Sequence, residues 1–344
     1  MVTKIIRIVF SIVILLLIAC SDSNIIEPEK EKIIYPIVRA TSDGSVWNIR
    51  SSLPTLIEKH SIRLTDISCD KESNIYVSTS GGGIYKINKN DNSIRQITAG
   101  LIPTTIAYFT LYYTGAVLYN ENRIITGSTD LQKKGGIYTL DDDTFQSKVA
   151  WNKYSNVVSI YKNPNGEIFA GCYYDILKSK DSGNSWVSLT ENAEDGFAYF
   201  YSFSFDKYGN IYGATRRGVY YSVSSKNQFK SIGLTTETIL GIDINSQEWI
   251  YVSTESGKMY ISKDHGSSWQ QLNNYPLKQA HCLYINKNGI IIAGTEDGIY
   301  RSKDNGVNWE FVGLKNKYVL RIIADTNGNL IAGTYMNEIY YSSK

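Results

Sequence analysis

Three stretches of the sequence share one frame: IIIAGTEDGIYRSKDNGVNWEFV at 290–312, IYVSTESGKMYISKDHGSSWQQL at 250–272 and IFAGCYYDILKSKDSGNSWVSL at 168–189. Each starts with a β-branched or aromatic run, passes through a short polar turn into a second apolar run, and then carries S-K-D-x-G-x-x-W before a third run. Short apolar runs separated by polar turns are typical of antiparallel strands. A unit of β structure is therefore predicted to repeat along the chain.

The same frame recurs, with more divergence, at 74–87, 123–140, 210–222 and 329–342. A turn of the form D/N-x-x-G/N, as in SFSFDKYGN at 202–210, comes before each unit and supplies residues that tolerate a positive φ. Each repeat is thus expected to hold four strands, A (inner) to D (outer). The equivalent positions are taken as Ser78, Gly127, Gly171, Gly213, Ser253, Gly294 and Gly333, at spacings of 49, 44, 42, 40, 41 and 39 residues.

A period near 40 residues and four strands in each unit predict an all-β propeller. The last repeat stops at Tyr341-Ser342-Ser343-Lys344, where other repeats continue into D-x-G-x-x-W. The missing G-x-x-W stands at the other end of the chain, at Gly44-Ser45-Val46-Trp47. We therefore expect seven blades, the last completed by an N-terminal strand. An extra strand pair at 33–41 would instead give eight.

The first 20 residues differ from the rest. Lys4 and Arg7 precede an apolar run at 8–18, which is too short to cross a bilayer as a helix, and Leu17-Ile-Ala-Cys20 ends it. This resembles the bacterial lipobox, which implies a signal peptide at 1–19 and acylation of Cys20. The polar and charged residues that follow predict a flexible tether, so the expected organisation is signal peptide 1–19, lipidated Cys20 and tether 20–32, and propeller 33–344. An N-terminal anchor helix is the alternative. Ser21 favours the outer membrane by the same resemblance, with periplasmic and surface orientation both open.

Composition narrows the classes of partner. The net charge is +2 and the Lys and Arg residues are scattered, so no nucleic-acid partner is expected. Cys69, Cys172 and Cys282 are predicted to be unpaired and buried in strands. The alternative is that one of them is a catalytic thiol. His60, His265 and His281 are far apart in the sequence, and no metal or cofactor is expected.

The motif S-x-D-x-G-x-x-W is intact at 179–186, 262–269 and 302–309. The carboxylate can accept turn N–H groups, the glycine allows an unusual backbone, and the tryptophan can pack between blades. The motif resembles the Asp-box, or BNR repeat, of sialidases, sortilin-type receptors and the photosystem II assembly factor. That resemblance implies C–D turns remote from the active face, with a structural role for Asp181, Gly183, Trp186, Asp264, Gly266, Trp269, Asp304, Gly306 and Trp309.

The sequence leaves two enzymatic alternatives to a binding function. A sialidase needs an arginine triad, for which Arg63, Arg123 and Arg321 are candidates, but the Arg-Ile-Pro signature of that family is absent. A two-carboxylate glycosidase needs opposed acids. Its candidates are the predicted B–C turn residues Glu255, Glu296, Asp297 and Asp130, for which solvated turns are the simpler explanation.

The remaining candidate surface is the end of the ring that carries the B–C and D–A loops. Aromatic and charged turn residues there can recognise a protein or a glycan. We therefore expect a membrane-tethered, non-enzymatic binding or assembly propeller, with a carbohydrate-active enzyme as the alternative. The candidate ligand-binding residues are Tyr173, Tyr174, Arg216, Arg217, Glu296, Asp297, Tyr335 and Met336.

Overall fold

The computed structural model describes residues 38–39, 46–53, 56–57, 60–101, 104–106, 109–120, 122–128, 136–141, 144–150, 157–173, 175–189, 199–223, 229–276, 278–286, 288–325 and 328–342. Within these ranges the regular structure is β-strand, and no helix has the length and apolar character needed to cross a membrane. The predicted signal peptide, Cys20 and tether lie outside the described residues, as does Tyr174.

The ring starts after four short N-terminal elements, of which β2 returns to complete the last blade. These elements are β1 (Val38–Arg39), β2 (Val46–Ser52), β3 (Leu56–Ile57) and β4 (His60–Ser61). The first blade comprises β5 (Arg63–Cys69), β6 (Ile75–Gly81), β7 (Gly83–Ile87) and β8 (Ile94–Ile97). The short β9 (Thr104–Ile106) pairs with the start of β10, and the second blade comprises β10 (Phe109–Asn120), β11 (Arg123–Ser128), β12 (Gly136–Asp141) and β13 (Thr144–Ala150).

The next four blades have one pattern, an antiparallel A-B-C-D meander. The third blade comprises β14 (Val157–Lys162), β15 (Ile168–Cys172), β16 (Ile176–Ser179) and β17 (Val187–Ser188). The fourth comprises β18 (Phe200–Phe205), β19 (Ile211–Thr215), β20 (Gly218–Ser222) and β21 (Lys230–Ser231). The fifth blade comprises β22 (Ile239–Ile244), β23 (Ile250–Thr254), β24 (Met259–Ser262) and β25 (Gln270–Gln271). The sixth comprises β26 (Ala280–Ile285), β27 (Ile291–Thr295), β28 (Gly298–Ser302) and β29 (Glu310–Gly313).

The seventh blade is composite: β30 (Val319–Ala324), β31 (Leu330–Thr334) and β32 (Glu338–Ser342) are completed by β2. The pairing sets Trp47 opposite Ser342. In the sixth blade Glu310 pairs with Arg301, which sets Trp309 opposite Ser302 in the same frame. β1 adds only two residues outside β2, with Val38 opposite Trp47. The predicted seven-bladed ring with its N-terminal closing strand is confirmed, and the eight-blade alternative is wrong.

The core lies between blades rather than along one axis. Among the described residues, the buried apolar side chains form seven clusters, each shared by two neighbouring blades. Trp47, only 2% exposed, joins Val312 and Leu314 of the sixth blade to Tyr340 of the seventh. Leu53 and Ile339 then pack with Ile75 of the first blade. The closing strand therefore completes two interfaces, one on each side of the seventh blade.

Every inner strand has a register shift at the same place, for example between Ala280 and Cys282 in β26. Such a bulge re-aims the extra residue. The bulged positions are Thr65, Gly115, Val158, Tyr201, Leu240, His281 and Leu320. The register also corrects one predicted equivalence: Cys282 pairs with Gly294, whereas Ser202 pairs with Ala214, so Ala214 replaces Gly213 as the repeat position in the fourth blade. The sequence frame was misplaced by one residue because the fourth blade has Gly-Ala where the third, sixth and seventh have Ala-Gly.

The closing strand gives a first testable prediction. Replacing Trp47 with Ala should lower the free energy of unfolding by about 3–5 kcal/mol, because a buried indole is lost from the interface between the sixth and seventh blades. Deleting residues 41–51 should abolish folding. Urea titration followed by circular dichroism measures the first effect. Val307→Ala, at a side chain that is 56% exposed, is the control and should change stability little. Equal stability of the Trp47 variant and the control would contradict this account of closure.

Candidate functional site

The three intact S-x-D-x-G-x-x-W motifs form nearly identical turns between strands C and D. In the first, Asp181 Oδ1 accepts hydrogen bonds from Ser179 Oγ and Ser185 N, both at 2.8 Å, and Oδ2 accepts one from Ser185 Oγ at 2.6 Å. Ser179 Oγ also accepts a bond from Gly183 N at 2.9 Å. These bonds hold the pKa of Asp181 at about 2, led by those from Ser185. The carboxylate is therefore committed to the turn.

The glycine and tryptophan of each turn face the preceding blade. Gly183 has a φ of 88°, and a Cβ there would lie 2.7 Å from Ile125 Cδ1. Trp186 packs on the cluster shared by the second and third blades. Gly266 and Gly306 have the same φ and similar crowding, against Ile232 and Leu272. A larger residue at the glycine would need both a strained backbone and a shift of the neighbouring blade.

The candidate ligand-binding residues lie at the opposite end of the ring, on B–C turns. We call this end the upper face, defined by Tyr173, Arg216, Arg217, Glu255, Glu296, Asp297, Tyr335 and Met336; the lower face carries the A–B and C–D turns. Tyr335 and Met336 are 39% and 50% exposed. In the fourth to seventh blades the B–C turn is bonded to the residue that precedes its own inner strand, as when Tyr335 N donates to Tyr318 O at 2.9 Å.

A tyrosine cluster occupies the third and fourth blades of the upper face. The rings of Tyr173 and Tyr199 have centroids 4.2 Å apart, and Tyr199 stacks on Tyr201 at 6.2 Å with an interplanar angle of 11°. Burial raises the pKa of Tyr201; Glu255 also raises it and Arg216 lowers it, so both charges lie near this hydroxyl. Aromatic faces next to one charge of each sign are chemically suited to hold a ligand with both apolar and polar groups.

A second group, the Arg63 cluster, joins the sixth, seventh and first blades. The guanidinium of Arg63 lies 4.9 Å from the centroid of the Tyr335 ring, which stacks on Tyr318 at 5.5 Å. The Tyr318 hydroxyl is 3.4 Å from His281 Nδ1. Arg63, Tyr318 and His281 were not predicted as a group, because they precede or enter inner strands that are far apart in the sequence and meet only when the ring closes.

The candidate acids of the upper face differ in their surroundings. Glu296 is exposed, whereas Asp297 Oδ1 accepts a hydrogen bond from Asn316 N at 3.1 Å and its Oδ2 lies 3.8 Å from Lys278 Nζ. Asp297 therefore orders the neighbouring loop. Asp130, the remaining acid considered with Glu255, lies outside the described residues.

The three arginines considered as a sialidase triad do not converge. Arg63 is in the upper-face cluster just described. Arg123 begins β11 at the lower face, where it pairs with Asp141 at 3.1 Å and Asn184 at 2.7 Å. Arg321 lies in the interior and binds Asp66. The structure therefore offers no arginine triad from this set.

An axial cavity of about 770 Å³ runs along the inner strands of all seven blades. Arg321 Nε donates to Asp66 Oδ1 at 3.0 Å, which links the seventh and first blades, and Val117 N of the second blade donates to Asp66 Oδ2 at 3.3 Å. Burial raises the pKa of Asp66, against the opposing effect of Arg321. The pair was not predicted, since its partners are 255 residues apart.

Two further titratable groups line the cavity. Burial raises the pKa of Asp243 to about 6, against hydrogen bonds from Ile285, Ile244 and Ser204 that favour the ionised form. Burial and the charge of Arg321 lower the pKa of His281 to about 4. Its Nε2 is buried and has no hydrogen-bond partner among the residues that the structure describes. The ring is therefore neutral at neutral pH.

The three described cysteines are free thiols. Burial raises the pKa of Cys69 to about 11 and of Cys282 to about 12, and it raises that of Cys172 well above the ordinary value. Such thiols are poor nucleophiles. No group of three or more His, Cys, Asp or Glu residues within the described ranges is arranged to hold a metal ion.

The geometry defines the class of the chain as a seven-bladed β-propeller with four-stranded blades and a composite last blade. No protein-family model matches the sequence, and no curated protein matches it.

Several solved structures are similar. One is the extracellular domain of the putative one component system BT4673 from B. thetaiotaomicron, with a TM-score of 0.66 at 16% identity. The match covers 86% of this chain but only 40% of the length of that chain. YCF48 bound to D1 peptide has a TM-score of 0.67 at 14% identity, over 89% of this chain and 99% of that one. Virginiamycin B lyase from Staphylococcus aureus has a TM-score of 0.65 at 13% identity, over 82% and 95%. At these identities the likeness shows the fold.

Asp243 and His281 predict opposite contributions to the pH dependence of stability. The stabilisation from the raised pKa of Asp243 is complete below about 3.8 and is lost as the pH rises through about 6. The stabilisation from the lowered pKa of His281 is complete above about pH 6.5 and is lost as the pH falls through about 4. Between pH 4 and 7, Asp243→Asn should therefore steepen the rise of unfolding free energy with pH, by about 3 kcal/mol at most.

His281→Asn should flatten the same rise. Urea titrations of the wild type and of each variant at several pH values between 4 and 7 give the slopes. Superimposable slopes for all three proteins would show that neither group changes its protonation in the way described.

Proposed function

We propose that the chain is a lipid-anchored propeller of the cell envelope that binds a segment of a partner protein across its upper face. The observation that carries the proposal is the pair of aromatic and charged groups there: the tyrosine cluster with Arg216 and Glu255, and the Arg63 cluster with Tyr335. Tyrosine side chains supply contact area at a low cost in conformational entropy, and arginine adds charge-assisted hydrogen bonds. Scaffolding during assembly of a larger complex would use the same surface.

The two clusters suit a ligand that spans several blades. The tyrosine cluster draws on the third and fourth blades with Glu255 of the fifth, and the Arg63 cluster draws on the sixth, seventh and first. An extended segment can contact both. The similar structure of YCF48 was solved with a D1 peptide, which supports a peptide ligand for a propeller of this compactness. A glycan is the other ligand that tyrosine faces accommodate.

Substitutions on the upper face test the ligand site. Peptides selected on the wild-type protein from a phage-displayed random library should lose at least about tenfold in affinity for the triple variant Tyr173→Ser, Arg217→Ser, Tyr335→Ser, because the anchoring contacts are removed. Biolayer interferometry measures the affinities, and circular dichroism checks the fold. Tyr208→Ser is the matched control, since Tyr208 is 66% exposed on a lower-face turn.

Unchanged affinity of the triple variant would contradict the upper-face assignment. A glycan array run in parallel distinguishes the two kinds of ligand. If no peptide is selected and a glycan binds in a way that the triple variant abolishes, the ligand is a carbohydrate and the protein-ligand part of the proposal is wrong. Turnover of a bound glycan would indicate the carbohydrate-active enzyme instead.

The proposed anchor rests on the basic start, the apolar run and the Leu17–Cys20 motif. In a bacterial host, the wild type should incorporate radioactive palmitate and fractionate with membranes, whereas Cys20→Ala should carry no label, because the acylated sulfur is absent. Gel autoradiography and the intact mass of each protein measure this. Label retained by the Cys20 variant would show that acylation, if present, is elsewhere.

A further inference from the structure

The axial cavity reaches from the level of Asp66 and Arg321 to Asn163 and Pro164, which lie on the A–B turn of the third blade. Those turns are on the lower face, so the cavity extends toward the end opposite to the proposed protein-binding surface. A volume of about 770 Å³ is within the range of small-molecule sites. The wall combines aliphatic and aromatic side chains with few charges, which is also typical of such sites.

Asp243 is a carboxylate in this wall with one acceptor position left. Its Oδ1 accepts hydrogen bonds from Ile244 N at 2.8 Å and Ser204 Oγ at 3.1 Å. Its Oδ2 accepts one from Ile285 N at 2.7 Å. A carboxylate offers about four acceptor positions, so Oδ2 retains one for a donor from outside the protein. The three bonds come from the fourth, fifth and sixth blades and hold the group in one orientation.

The charge of Asp243 has no counter-ion in the described part of the chain. Asp66, in the same cavity, is paired with Arg321 at 3.0 Å, but no Lys, Arg or His nitrogen among the described residues forms an ion pair with Asp243. With its pKa at about 6 the group is ionised at neutral pH. A carboxylate held in a cavity wall without a counter-ion is destabilising, and a ligand cation would offset that cost.

We propose that the axial cavity binds a small organic cation, a primary ammonium compound, which donates a hydrogen bond to Asp243 Oδ2. The hydrocarbon part of the ligand contacts the neighbouring wall, formed by Phe205, Tyr284 and Ile285. Aromatic faces near an ammonium group add cation–π attraction. A metal ion fits less well, because Ca²⁺ needs six to eight oxygen ligands and no acidic cluster is present among the described residues.

The first experiment compares n-butylammonium, n-butanol and butyrate with the full-length chain at pH 7.5, by isothermal titration calorimetry. Butylammonium should bind at least about tenfold more tightly than the other two, as expected for one charge-assisted hydrogen bond. Asp243→Asn, which keeps one carbonyl oxygen for the backbone donors, should lower that affinity by at least about tenfold. Asp91→Asn, at an exposed carboxylate on the C–D turn of the first blade whose Oδ1 accepts a hydrogen bond from Ser93 N, is the matched control and should bind as the wild type does.

Equal binding of butylammonium and butanol, or an unchanged affinity in a folded Asp243 variant, would overturn the proposal. So would complete displacement of butylammonium by Ca²⁺ at equal concentration, because the site would then prefer an inorganic ion.

A second measurement uses only the wild type and does not depend on whether the variant folds. A butylamine that carries a diazirine should label peptides from β18, β22 and β26 when irradiated, as read by mass spectrometry, and excess butylammonium should suppress the labelling. Labels confined to other segments would disprove the site. Because the upper face is not involved, these results stand or fall independently of the proposed protein ligand.

Discussion

The pairing of β2 with β32 is the constraint on which the whole ring depends. Each blade buries its apolar faces only against two neighbours, so an open ring would expose two sheet faces to water. Ser342 opposite Trp47 restores the frame that the other blades build from consecutive residues, and the indole fills the interface with the sixth blade. Two ends of one chain thereby form a blade without a covalent link between them.

Polar bonds around the axis reinforce this closure. Asp66 bridges the seventh, first and second blades, Ser159 Oγ reaches Phe200 O of the fourth at 3.3 Å, and Asp243 bridges the fourth, fifth and sixth. Short polar groups of neighbouring inner strands thus satisfy one another across the blades.

The two ends of the ring differ in what their polar groups do. On the lower face, the carboxylates of Asp181, Asp264 and Asp304 accept hydrogen bonds from their own turns, which leaves few acceptor positions for a ligand. On the upper face, Tyr335 and Arg217 are exposed on short turns whose backbone is already bonded. The structural turns and the proposed recognition surface therefore lie at opposite ends of the ring, as the resemblance of the S-x-D-x-G-x-x-W turns implied.

The sequence by itself determined the strand content, the period, the seven blades and the closing role of Trp47, because these follow from local turn chemistry and from a motif left incomplete at one end and found at the other. It also pointed to Tyr173, Arg217 and Tyr335 as turn residues. Only the tertiary structure decided that Arg63 meets Tyr335 and that Arg321 meets Asp66. Those contacts join residues from opposite ends of the chain, and closure of the ring, not local spacing, brings them within bonding distance.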